Sequence, residues 1–96
     1  MAKGTYHKRP APVGAGFTLT NGGASVNSVM SSDYGFIHVY ASADCHIAFG
    51  KTAPTAVADH TCLKIKAETP YIFPIDPGHY MASIAAAGTV EVHYME

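Results

Sequence analysis

From Phe17 to the C-terminus, apolar and polar residues alternate in short stretches, and Gly, Pro, Asn or Asp closes each one. A period of two is the signature of a strand, because successive side chains point to opposite faces of a sheet. "FTLT" alternates apolar and hydroxyl residues, "ASVNSVM" follows the Asn21-Gly22-Gly23 turn signal, and "GFIHVYASA" is rich in β-branched and aromatic residues. "CHIAF" sets Cys45, Ile47 and Phe49 against His46 and Ala48, and "TCLKIK" sets Thr61, Leu63 and Ile65 against Cys62, Lys64 and Lys66. "TPYIFPID" carries two prolines, which confine it to a sheet edge or an irregular extended path. After the Pro77-Gly78 turn come "HYMASIAAA", a break at Gly88, and "TVEVHYM", with Val90, Val92 and Tyr94 on one face.

The alanine-rich run "ASIAAAG" is too short for a helix and sits between turn signals. Some six to eight short strands spaced about ten residues apart predict an all-β fold. A small antiparallel β-sandwich or jelly roll is expected, with a small barrel as the other closure. The 96 residues suit one domain with one modest core. Residues 17–96 are assigned to it, and residues 1–16 to an extended N-terminal arm. The arm holds Lys3, Lys8 and Arg9, three of the six basic residues, among prolines and glycines. Such a composition buries little apolar surface and is expected to order on a partner.

Charge narrows the partners. Only 14% of residues are charged against 48% hydrophobic, which suits a protein packed against other proteins. A formal net charge of -1 gives no basic field for nucleic acid or for an anionic membrane. The opening "MAKGTYHKRPAPVGAG" lacks the apolar run of a secretory signal, and no stretch reaches the ~20 apolar residues of a membrane span. The chain is expected to be soluble and made in the cytoplasm. Two cysteines do not make a secreted disulfide framework. Cys45 and Cys62 are read as small hydrophobes.

Chemistry has few candidates. Cys45, His46, His60 and Cys62 have the donor types of a zinc site, but Cys45 and His46 are adjacent on a strand and face opposite ways. A nucleophilic Cys45 needs a histidine in reach and an electropositive setting. "FGKT" lacks the remainder of a phosphate loop, and the seven acidic residues are scattered, with Asp44, Asp59 and Asp76 beside turn signals. No catalytic residue, metal ligand or cofactor is assigned, and an enzyme is not expected.

The stretch from Val39 to Glu96 contains a strand ending in "DCHIAFG", a loop "APTAVADHT", an apolar segment "CLKIKAETPYIF", the turn-and-strand "PIDPGHYMASI" and a closing "GTVEVHYME". In these features it resembles small β proteins encoded in the structural gene clusters of tailed bacteriophages, and is similar to head decoration, or cement, proteins. The resemblance implies a virion protein that binds the outside of the capsid and clamps neighbouring major capsid proteins; a homo-oligomer on a symmetry axis, dimer or trimer, is expected there. It brings no catalytic residues. Expected capsid contacts are Tyr6, His7, Lys8 and Arg9 in the arm, with Phe17, Tyr34 and Phe36. The alternatives are a tail or head-to-tail connector component, a carbohydrate-binding module, and a small cupin-like metal enzyme.

Overall fold

A computed structural model describes residues 12–95. Every strand stretch in the sequence forms a strand: β1 (Pro12–Thr20), β2 (Val26–Val29), β3 (Phe36–Ala41), β4 (Cys45–Gly50), β5 (Leu63–Ile65), β6 (Tyr71–Pro74), β7 (Tyr80–Ile84) and β8 (Thr89–Met95). They build two four-stranded antiparallel sheets, sheet A in the order β1-β8-β3-β6 and sheet B in the order β2-β7-β4-β5. The pairs β1–β8, β2–β7, β3–β6 and β4–β5 show how the chain is wound: it doubles back between β4 and β5, and the long ribbon so formed wraps across both sheets. That is the jelly roll. The Pro-flanked β6 is an edge strand, where a missing N–H does not break a ladder.

The core lies between the sheets. Sheet A contributes Leu19, Ile37, Val39, Ala41, Val90, Val92 and Tyr94, and sheet B contributes Cys45, Ile47, Ile65 and Met81, all buried. Between the sheets, Ser83 Oγ donates to Asn21 Oδ1 at 2.8 Å, and both residues are buried. This satisfies two polar groups that would otherwise be costly so far from water. Among the described residues no buried side-chain nitrogen or oxygen lacks a partner.

β1 begins at Pro12, not at Phe17, so residues 12–16 belong to the sheet and not to the arm. Val13 and Ala15 continue the inward row of Phe17 and Leu19 and pack on the core. Glycines at the outward positions hide this alternation, because Gly14 and Gly16 read as loop residues. The register explains why they are there. Pro12 pairs with Met95 and Gly16 with His93, so four steps along β1 match two along β8, a bulge in which Gly14 has φ +74°.

The outer faces of the two sheets differ. Ala56 in the long connection 51–62 is buried, and its N–H donates 2.9 Å to Ser25 Oγ beside β2, at the far edge of sheet B from β5. Ala82 faces outward between Asn27 and Ala48 yet is fully buried, so this connection lies across the outer face of sheet B. On the outer face of sheet A, Phe36 is 37%, Tyr40 36% and Ile72 53% exposed, while Met95 beside Phe36 is buried.

Candidate functional site

The outer face of sheet A is built in rows set by the register. Met95, Phe36 and Pro74 form one row, His93, His38 and Ile72 the next, and Thr18, Glu91 and Tyr40 a third. Alternation in β3, β6 and β8 sends their other side chains into the core, which leaves Phe36, Tyr40, Ile72 and Pro74 exposed around the two histidines, with Glu91 as the charge, while Met95 is buried despite its outward position. The imidazoles of His38 and His93 lie side by side, ring centroids 6.1 Å apart, and His93 Nε2 is 3.5 Å from Glu91 Oε1. Beside them, at the β1 bulge, Gly14, Gly16, Thr18, Glu91 and His93 line a shallow open groove of about 420 Å³.

The contact residues expected from sequence divide three ways. Tyr6, His7, Lys8 and Arg9 lie outside the described residues. Phe17 and Tyr34 are half-buried and pack on Tyr94, at 5.9 and 5.2 Å between ring centroids, so they brace the core more than they present a surface. Phe36 is exposed on the outer face of sheet A. The Tyr34 to Tyr40 edge is the binding face expected on the sandwich itself, and sequence reasoning missed Ile72 and His93 as surface partners of Phe36. The alternation in "FIHVYA" places Phe36, His38 and Tyr40 together, but only the strand register adds β6 and β8.

Elsewhere the polar groups are structural. Asp44 accepts from Ala67 N–H at 2.7 Å, which holds its carboxyl below the usual range, and Lys64 and Lys66 act in the same direction. Asp59 accepts from both the hydroxyl and the N–H of Thr61 in the turn that precedes β5, with the same effect on its carboxyl. These aspartates fix turns, as their positions in the sequence suggested. Cys45 points into the core while His46 faces out, and Cys62 Sγ accepts from Val57 N–H at 3.3 Å. Among the described residues no three His, Cys, Asp or Glu side chains converge as a metal site would require, and no helix is long and apolar enough to cross a membrane.

Burial, with the Asp44 charge beside it, pushes the Cys45 thiol above its ordinary value. In the native protein iodoacetamide is therefore expected to modify Cys62, which is partly exposed, and to spare Cys45 until the chain is unfolded in urea. Mass spectrometry of the alkylated peptides reads this directly. Equal labelling of both thiols under native conditions would contradict the burial of Cys45. A raised thiol pKa also sets a sign: the folded state is favoured below the unfolded thiol's pKa near 9, and that contribution is lost as pH rises through the higher folded value.

Comparison with protein-family models, curated proteins and solved structures returns no match for this chain.

Proposed function

We propose that the protein is a structural component of a tailed-bacteriophage virion, a capsid decoration protein that binds the outer capsid surface and stabilises contacts between major capsid proteins. The observation that carries this reading is the uncovered outer face of sheet A. A small domain that leaves Phe36, Tyr40 and Ile72 in solvent on one sheet, while its 51–62 connection buries Ala82 at the centre of the other and leaves Val29 and Val57 exposed there, offers the first face to a protein partner. The resemblance of residues 39–96 to phage structural proteins supplies the kind of partner.

In this reading the jelly roll is a rigid plug. Residues 1–11 precede β1 at the edge of sheet A and supply Tyr6, His7, Lys8 and Arg9 for contacts with a neighbouring capsid subunit. Repetition around a symmetric shell makes modest single-site affinity sufficient, because each bound copy bridges subunits that are already held in place.

The experiment compares the full chain with a variant lacking residues 2–11 on decoration-free shells of the cognate major capsid protein. The cut stops before Pro12 because Val13 and Ala15 pack on the core. Thermal melting of the variant is expected to match the full chain, while its apparent Kd for shells rises about tenfold, the loss of one aromatic or arginine anchor. Unchanged affinity would remove residues 2–11 from the interface. Failure of the full chain to bind shells at all would overturn the proposed function.

A further inference from the structure

We propose that His38 and His93 form half of a zinc site that a second copy of the chain completes, joining two jelly rolls through the outer faces of their A sheets. This does not rest on the capsid reading, but it competes with it for the outer face of sheet A.

The donor pair comes first. His38 and His93 are register partners on adjacent antiparallel strands, so both rings rise from the same side of the sheet. In a tetrahedral zinc site with Zn–N near 2.1 Å, each ring centre lies about 3.2 Å from the ion and two such centres about 5 Å apart. The observed 6.1 Å is about 1 Å longer, a gap on the scale of a side-chain rotation. The His93 ring has room to turn, since its side chain is 54% exposed, and it turns toward the half-buried His38. Imidazole is a ligand of choice for zinc, copper and nickel. The Glu91 carboxylate, 3.5 Å from His93 Nε2, orients that ring and places negative charge beside the cation.

One copy is not enough. Two nitrogens fill half a tetrahedron, Glu91 lies against His93 outside the ligand set, and among the described residues no three His, Cys, Asp or Glu side chains converge as a complete site. A twofold axis through the ion brings the same pair from a second copy and completes a four-histidine set. Spacing permits it: sheets packed face to face lie about 10 Å apart, which leaves an ion at the midplane about 5 Å from each backbone, within reach of an imidazole. Charge also agrees. Two Glu91 carboxylates then flank one dication, on faces that carry no other charge in the rows around the pair.

Area decides whether the metal matters. Four strands about 4.8 Å apart and some six residues long present a flat face of roughly 400 Å², about half of the ~800 Å² per partner in a standard stable interface. Phe36, Tyr40 and Ile72 therefore favour association without securing it, and the dimer forms only when zinc is bound. Phe36, Tyr40 and Ile72 are covered by the second copy in this dimer, so the zinc-joined dimer and a copy seated on the capsid by the same face exclude one another.

The test is the mass of the full chain in solution, by sedimentation equilibrium, with zinc chloride and then with EDTA. The expected result is a twofold rise in mass with one zinc per two chains, reversed by EDTA. His38→Gln and His93→Gln are each expected to stay monomeric in zinc while keeping the native melting temperature. A His7→Gln, His46→Gln, His60→Gln, Cys62→Ser variant is expected to dimerise as the parent does. Tyr40→Glu, which puts a charge on the face without touching the ligands, is expected to weaken the zinc-bound dimer at least tenfold. A dimer that survives EDTA, a dimer formed by His38→Gln, or zinc bound with no change in mass would each overturn the proposal.

Discussion

Gly16→Ala is expected to destabilise the protein by about 2–4 kcal/mol, the largest loss of any glycine-to-alanine change among the described residues. A Cβ at Gly16 stands 2.1 Å from the carbonyl oxygen of Val92 and 3.1 Å from the Cα of His93, and all these neighbours are backbone. No side chain can swing away to make room. The methyl group must push β1 off β8, the strand at the centre of its pairing, and Leu19 and Phe17 lose their seat on the core with it. Two other glycines calibrate the result. Gly14→Ala meets nothing within 4 Å but sits at φ +74°, so it is expected to cost about 1 kcal/mol of backbone strain. Gly22→Ala meets nothing, has no such torsion, and is expected to be within about 0.5 kcal/mol of the parent. Urea melts of the three variants read the order directly. A Gly16→Ala protein no less stable than Gly22→Ala would show that β1 and β8 are not held so closely.

Gly16 also marks where sequence reading stops. Alternation placed all eight strands, because a period of two needs only neighbours along the chain, and it put Val90, Val92 and Tyr94 on the face that the core buries. It stopped five residues short in β1, where glycines required by the bulge erase the polar half of the pattern. The 51–62 connection reads as a plain loop, since what lays it across sheet B is the Ser25 hydroxyl, thirty-one residues away in sequence. The outer face of sheet A was half legible. β3 alone shows Phe36, His38 and Tyr40 on one side, but that His38 meets His93, and that Ile72 joins them, follows from the winding of the ribbon. Phe49 is a further case: alternation sends it inward with Cys45 and Ile47, and its ring is tilted against Phe73 at 5.6 Å, yet near the end of β4 it stays 40% exposed.

Tyr94 should be the most sensitive side chain in the core, because it joins an aromatic cluster to a buried polar anchor. Its ring is 7% exposed, with Phe17 tilted against it at 5.9 Å and Tyr34 stacked on it at 5.2 Å. Its hydroxyl accepts from Ser31 N–H at 2.8 Å, which ties the connection between β2 and β3 to the last strand. Tyr94→Ala removes ring and acceptor together and leaves a cavity between the sheets, for an expected loss of about 3–5 kcal/mol. For a domain of this size that is a large share of the whole stability. Tyr94→Phe separates the two roles. It keeps the ring and leaves Ser31 N–H without its acceptor, so the expected loss is about 1 kcal/mol, or a fall in Tm of about 4–8 °C. Hydrogen exchange locates the effect: in Tyr94→Phe the Ser31 amide should lose protection while the β3 amides keep theirs. If Tyr94→Phe proved as damaging as Tyr94→Ala, the hydroxyl rather than the packed ring would be what holds Phe17 and Tyr34 in place.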